Sequence, residues 1–216
     1  MSFDRIADVY WLLEKITFGQ TLQRARTFGV DKLSDPKRAL LIGEGDGRFL
    51  EALLRAHRNL EVDCVDGSAR MLELARQRLE RRVPGGLARI RFLQSDIRDA
   101  AFDNRYDVIV TNFVLDCFEG DELKTLVTNL VRAALPGCVW LLADFSVPDA
   151  GWRKLHAKAW IGFMYRFFRL TTDIRAKALS DPAGLLQEAG FALKGQKRWR
   201  AGMVKSEVWE REATKC

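Results

Sequence analysis

Apolar positions along the chain change their spacing in a regular way. Across residues 3–28, Ile6, Val9, Tyr10, Leu13, Ile16 and Leu22 recur at three- and four-residue steps. That is the period of one helical face, so one or two helices are expected, with Gly19 as the break. Short continuous apolar runs follow at 39–42, 62–65, 90–93, 108–110 and 139–145. Each has the length of a buried parallel strand. Between them, residues 48–57, 69–82 and 121–134 carry helical periodicity, and Ser68 stands where the second of these needs a cap. Such alternation predicts a parallel sheet with helices on both faces.

The pattern changes after the fifth run. Residues 152–170 read as an aromatic-rich helix, Asp181-Pro182 opens another through a cap and a proline at the first helical position, and 191–200 with 203–210 form a closing antiparallel pair. The expected fold is α/β: a Rossmann-like, seven-stranded, mostly parallel sheet with helices on both faces and an antiparallel C-terminal strand pair.

Composition narrows the class. A length of 216 residues with 48% hydrophobic positions suits one domain with a large core. No apolar run reaches the roughly 18 residues of a spanning helix, and the opening Met1-Ser2-Phe3-Asp4-Arg5 lacks the basic-then-apolar order of a signal peptide. A soluble, cytoplasmic protein is expected. Four scattered cysteines without a C-x-x-C, and only two histidines, argue against a zinc site or a disulfide framework. Cys64, Cys117 and Cys138 lie in apolar runs and are expected as buried thiols. The net charge of +6 is uneven: residues 149–216 hold 14 Lys and Arg against 7 Asp and Glu, which leaves −1 for the first 148. A basic third can attract an anionic substrate, nucleic acid or a membrane surface, but more often it is a solvated face.

The chemistry concentrates at the ends of the first four strands. The first runs into Gly43-Glu44-Gly45-Asp46-Gly47 and then directly into a helix. Glycines there permit a tight turn and let a ligand approach the backbone beside a helix N-terminus. A dinucleotide fingerprint would place its third glycine at position 48, where this chain has Arg48. The second strand ends in Asp66-Gly67-Ser68, with Asp66 placed 19 residues beyond Gly47, where a carboxylate can accept both ribose hydroxyls. Gln94-Ser95-Asp96-Ile97 follows the third strand, and the fourth ends in Thr111-Asn112.

In this order and spacing, the G-x-G-x-G loop, Asp66, the Asp96-Ile97 pair and Asn112 resemble the motifs of class I S-adenosylmethionine-dependent methyltransferases. The resemblance implies S-adenosyl-L-methionine as cofactor, S-adenosyl-L-homocysteine as product and no metal. It implies a cofactor site of Tyr10, Gly43, Glu44, Gly45, Gly47, Asp66, Gly67, Ser68, Met71, Asp96, Ile97 and Asn112. Asp96 would meet the adenine amino group, Ile97 would pack on the ring, and Asn112 would face the methionine end. One departure stands out: family members often have an acid two places before the first glycine, and here that residue is Leu41. Glu44 and Asp46 are the nearby substitutes.

Phe3-Asp4-Arg5-Ile6-Ala7 with Tyr10 and Phe18-Gly19, the stretch 141–148 and Leu186-Gln187-Glu188-Ala189-Gly190-Phe191 are similar to the ubiquinone and menaquinone biosynthesis C-methyltransferases. That likeness implies a helical lid over residues 1–33, with Tyr10 near the methionine carboxylate, and a small, hydrophobic acceptor that is aromatic, quinone-like or isoprenoid-bearing. The loop Phe113-Val114-Leu115-Asp116-Cys117-Phe118 departs from that branch. Asp116 is the first candidate general base, with a capping carboxylate as its alternative, and His156 is the second candidate. The aromatic segment 152–170 is apolar on more than one face and is expected as a substrate-side roof, with core packing, a dimer contact or a peripheral membrane contact as the other readings. No nucleic-acid partner is expected, since no RNA-binding module and no Asn/Asp-Pro-Pro-Tyr/Phe sequence is present. An RNA or protein methyltransferase and a non-catalytic scaffold are the competing functions.

Overall fold

The computed structural model describes residues 19–100, 102, 105–146 and 181–212. The segments 1–18 and 152–170, with Tyr10 and His156, lie outside the described residues.

The strands are β1 (Arg38–Ile42), β2 (Glu61–Asp66), β3 (Ile90–Gln94), β4 (Tyr106–Asn112), β5 (Ala134–Phe145), β6 (Phe191–Trp199) and β7 (Val204–Arg211). They form one sheet in the order β3-β2-β1-β4-β5-β7-β6. The first five are parallel, and β7 runs antiparallel to both β5 and β6. The helices are α1 (Thr21–Arg26), α2 (Arg48–Ala56), α3 (Ala69–Arg82), α4 (Gly120–Ala133) and α5 (Ala183–Glu188). The expected seven-stranded mixed sheet is thus the observed one.

Strand pleating divides the core into two layers. Leu40, Ile42, Ile109, Trp140, Leu142 and Trp209 point to one face, where Leu123, Leu126 and Leu130 of α4 and Leu186 of α5 cover them. Ala39, Leu41, Val62, Cys64, Val108 and Val110 point to the other, beneath Phe49, Leu50, Leu53 and Leu54 of α2 and Leu72 and Leu79 of α3. Because β1 is covered on both faces, it reads as an unbroken apolar run.

Three elements differ from expectation. The third run is not a fully buried strand: β3 forms the sheet edge and is only partly covered. β5 starts at Ala134 rather than Val139, because Tyr106 pairs with Ala134 while Val108 pairs with Val139, so the residues between leave the ladder. Pro136 and Gly137 in that stretch look like punctuation in the sequence. At α5, Pro182 occupies the cap position rather than the first helical position, and Asp181 Oδ1 accepts from the Ala183 N–H at 3.0 Å. Cys64 and Cys138 are buried, whereas Cys117 is only partly so.

Among the described residues, no helix is long and apolar enough to cross a membrane.

Candidate active site

The carboxyl ends of β1, β2 and β4 open into one solvent-connected cleft. Its floor is the glycine loop. Gly43 donates to Val65 O at 2.8 Å, which continues the β1–β2 pairing one residue past the strand. The chain then turns through three left-handed glycines, with φ of 65° at Gly43, 72° at Gly45 and 82° at Gly47. At Gly43 a Cβ would lie 2.4 Å from Val114 Cγ2, so glycine is required both by backbone angle and by the close passage of the turn after β4. Gly47 has a different task. A Cβ there would stand 2.8 Å from the Ala75 Cα, so Gly47 permits close packing of the start of α2 on α3.

Gly47 occupies the N-cap of α2 and has no side chain to satisfy the first-turn donors. Glu44 supplies that acceptor, with its Oε1 2.8 Å from the Leu50 N–H. Desolvation inside the loop raises Glu44 to about 8, helped by Asp46 and Asp66 and opposed by the Leu50 N–H and by Arg26. The sign follows directly. The folded value lies above the ordinary 4.5, so the folded state holds a proton that the unfolded chain has lost, and stability falls as pH rises from about 4.5 to about 8. Glu44→Gln keeps the capping oxygen and removes the charge. Allowing for partial solvent screening, it is expected to stabilise the ligand-free protein at pH 8.5 by roughly 2 kcal/mol, or about 4–8 °C in thermal midpoint, and to flatten the pH dependence. Thermal melts from pH 5 to 9 give the comparison, and parallel curves for the two proteins would refute the assignment. Asp46 is bound by Arg48 at 2.9 Å and by Arg78 at 3.2 Å.

At the end of β2, Asp66 Oδ2 accepts from the Gly45 N–H at 3.2 Å and Oδ1 from the Ser68 N–H at 2.9 Å. These bonds tie the glycine loop to the β2–α3 turn and fix the carboxylate at the cleft wall. Ser68 is fully buried and caps α3, accepting from the Met71 N–H at 3.1 Å. It therefore shapes the wall from behind, as Gly47 does, and neither lines the cleft. After β3, Asp96 lines the cleft with Ile97. Arg98 grips the Asp96 carboxylate at 2.9 and 2.5 Å and holds it well below the usual carboxylate range.

At the tip of β4, Asn112 is 8% exposed and borders the cleft. Both polar atoms of its side-chain amide are buried and have no hydrogen-bond partner among the described residues. A buried amide lacking partners costs free energy of order 1–3 kcal/mol, so this position calls for a polar ligand group. An amide can accept from an ammonium and donate to a carboxylate. Phe113 follows with φ 59°, an uncommon angle for a bulky residue. Its ring packs against Phe145 in a tilted arrangement, centroids 5.0 Å apart, and the Arg26 guanidinium lies 5.1 Å from its centre.

The structure thus gathers Gly43, Glu44, Gly45, Asp66, Gly67, Met71, Asp96, Ile97 and Asn112 around one cleft. Sequence reasoning missed Arg26, Arg48, Phe113, Val114, Cys117 and Phe118 in the same wall. Arg26 arrives because Leu22 and Ala25 of α1 pack on Ala143 and Val204, far away in sequence. Asp116 sits beside the cleft rather than in its lining, 3% exposed in a short 3-10 turn. Burial pushes it up to about 6, against hydrogen bonds from the Cys117 thiol and backbone N–H groups.

A mostly parallel sheet in this strand order, with a glycine loop, a carboxylate and a buried amide at the carboxyl ends of its strands, is a Rossmann-like fold. Comparison with known proteins finds similarity to methyltransferases. Residues 40–140 match the family described as a methyltransferase domain. The chain is 29% identical over 194 residues to the malonyl-[acyl-carrier protein] O-methyltransferase of Halorhodospira halophila, covering 88% of this chain and 60% of that one. It is 33% identical over 114 residues to the demethylmenaquinone methyltransferase of Thermotoga maritima, covering 51% and 46%. Among solved structures, the N-methyltransferase NodS from Bradyrhizobium japonicum in complex with S-adenosyl-L-homocysteine superposes with a TM-score of 0.63 at 17% identity, covering 93% and 91%. The chain therefore spans about half the length of the curated relatives it matches. Residues 40–140 thus resemble a methyltransferase domain, and the relatives and solved structures to which the chain is similar are methyltransferases.

Proposed function

We propose that this protein transfers the methyl group of S-adenosyl-L-methionine to a small, hydrophobic acceptor of aromatic or quinone-like character. The observation that carries the reading is the buried amide of Asn112, without a partner among the described residues, in a cleft lined by the glycine loop and by apolar side chains. On one side Asp66 and Asp96 would hold the adenosine, and Gly43, Glu44 and Asn112 the methionine end. On the other, Phe113, Val114, Cys117 and Phe118 offer a dry surface to the acceptor. The bound sulfonium supplies an activated methyl group. What the protein adds is alignment, exclusion of water and a carboxyl group at Asp116 to take a proton. The named relatives act on a malonyl-carrier protein and on demethylmenaquinone, which motivates a small carbonyl-bearing or quinol acceptor for this chain.

Titration calorimetry with S-adenosyl-L-homocysteine and NAD, followed by transfer of labelled methyl to a panel of lipophilic phenols and quinols, tests the reading. Binding of the first ligand alone and labelling of at least one lipophilic acceptor are expected. Preferential binding of NAD, or transfer confined to nucleic acid, would overturn it.

A further inference from the structure

Phe113 holds a backbone angle that its side chain disfavours. Its φ of 59° lies in the left-handed region, where glycine or asparagine would stand more easily than a bulky ring. The turn accounts for the angle. Asn112 pairs with Ala143, the Phe113 N–H reaches Ala143 O at 2.6 Å, and Val114 then passes so close to Gly43 that a Cβ there would lie 2.4 Å from Val114 Cγ2. Nothing in the turn requires the ring. The ring lies in the cleft wall, packed at a tilt on Phe145, and the Arg26 guanidinium stands 5.1 Å from its centre.

Arg26 is placed as firmly as the ring. It ends α1, whose Leu22 and Ala25 are buried against Ala143 and Val204. Ser206 on β7 donates from its hydroxyl to Ala25 O at 2.8 Å, and the Gln23 amide donates to Arg48 O, at the start of α2, at 3.1 Å. The helix is thus tied to β7 on one side and to α2 on the other, and its last residue lines the cleft. Three acids of the lining have partners of their own: Asp46 in Arg48 and Arg78, Asp96 in Arg98, and Asp66 in the N–H groups of Gly45 and Ser68. Burial raises the fourth, Glu44, to about 8, so near neutral pH it is protonated and does not cancel the Arg26 charge. A guanidinium has five N–H donors in one plane, so it can serve a ligand anion beside any other partner it has.

Position in the sheet indicates which ligand meets this pair. Across the cleft the strands run β3-β2-β1-β4, so Asp96 and Asp66 stand at one end, the glycine loop in the middle, and Phe113 with Arg26 at the other. Three strand spacings, about 14 Å, separate the ends. An adenosine held by Asp66 and Asp96 leaves the Phe113 end to the acceptor. We infer that Phe113 and Arg26 clamp the acceptor, the ring packing on its planar body and the guanidinium binding a negative charge on it, so that the substrate class is a planar aromatic acid. This deepens the proposed function and rests on it. The two contacts select different properties: an aromatic ring favours another flat, apolar surface, whereas the guanidinium fork matches the two oxygens of a carboxylate. Both residues determine specificity, and neither moves a proton.

The test uses the intact protein, with and without saturating S-adenosyl-L-homocysteine, and two probes of one shape: a hydroxynaphthoate and its neutral carboxamide. Fluorescence titration of the wild-type protein should show the acid bound about 10-fold more tightly than the amide. Arg26→Gln should bring the two to equal affinity, and Arg26→Lys should restore part of the preference. Phe113→Leu should weaken both probes by a similar factor of about 5 and leave the preference intact. Equal binding of the two probes by the wild-type protein, binding of neither, a preference that survives Arg26→Gln, or unchanged affinities in Phe113→Leu overturns the clamp. So does a loss of S-adenosyl-L-homocysteine affinity in Arg26→Gln that methylthioadenosine, which lacks the carboxylate, does not share while the probe preference persists, because the guanidinium then serves the cofactor. A wild-type protein that shows the Arg26-dependent preference, yet transfers labelled methyl to no aromatic acceptor, leaves the clamp standing and refutes the proposed function instead.

Discussion

Replacing Asp66 with alanine is expected to weaken binding of S-adenosyl-L-homocysteine by about 1.5–3 kcal/mol, roughly 10- to 150-fold in Kd. Two effects add. The carboxylate would lose its bonds to the ribose hydroxyls, each of them a hydrogen bond to a charged group. The glycine loop would also lose its anchor, because Asp66 receives the N–H groups of both Gly45 and Ser68. Asp66→Asn separates these contributions, since one amide oxygen can keep the Gly45 bond while the charge is gone. Its affinity should fall between those of the other two proteins. Calorimetry on folded variants makes the measurement, and an unchanged Kd for Asp66→Ala would remove this residue from the site.

Why so much of this site could be read from sequence is a matter of locality. The glycine loop, Asp66, Asp96 and Asn112 each sit at or just past the end of a strand that announces itself as an apolar run. The topology of a parallel sheet then brings all such ends to one edge. Ser68 was legible for the same reason, since a cap lies within three residues of the N–H it serves. Leu41 marks where local reading stopped. The two nearby acids both have partners of their own, Glu44 in the N–H of Leu50 and Asp46 in two arginines. Only coordinates show those commitments.

What escaped the sequence depends on distant pairing. Arg26 reaches the cleft because α1 docks on β5 and β7, contacts that span more than a hundred residues. Asp63, Asp144, Lys205 and Glu207 lie within strands, where a charged residue normally signals a solvent-facing position. Each is buried, and the partners that make burial tolerable for Asp63, Lys205 and Glu207 come from other elements. The exposed edge at β3 was invisible too, because Ile90-Arg91-Phe92-Leu93 is as apolar as a covered strand. There the long stem of an arginine does part of the covering, with the Arg76 guanidinium 4.6 Å from the centre of the Phe92 ring.

The buried acid of β2 gives the largest expected effect on the fold itself. Asp63 is 2% exposed, yet it binds Arg91 through two bonds of 2.9 Å, accepts from the Tyr106 hydroxyl at 2.6 Å and lies 3.8 Å from the Arg38 guanidinium. It thereby clamps β1, β2, β3 and β4 together. Asp63→Ala should cost about 3–5 kcal/mol, the scale for breaking a buried charge pair by removing one partner. The lower end is favoured because the Arg91 side chain is 54% exposed and can turn its charge into water. The Tyr106 hydroxyl cannot follow, since Tyr106 is 1% exposed in the core, and its stranded donor accounts for about 1–3 kcal/mol of the total. For a chain of this size the thermal midpoint should drop by about 6–12 °C. None of the four residues lines the cleft, so the Kd for S-adenosyl-L-homocysteine should stay at the wild-type value wherever the variant is folded. Denaturant unfolding beside calorimetry separates the two readouts: a loss below about 1 kcal/mol, the scale of a surface ion pair, would show that the cluster is not a clamp.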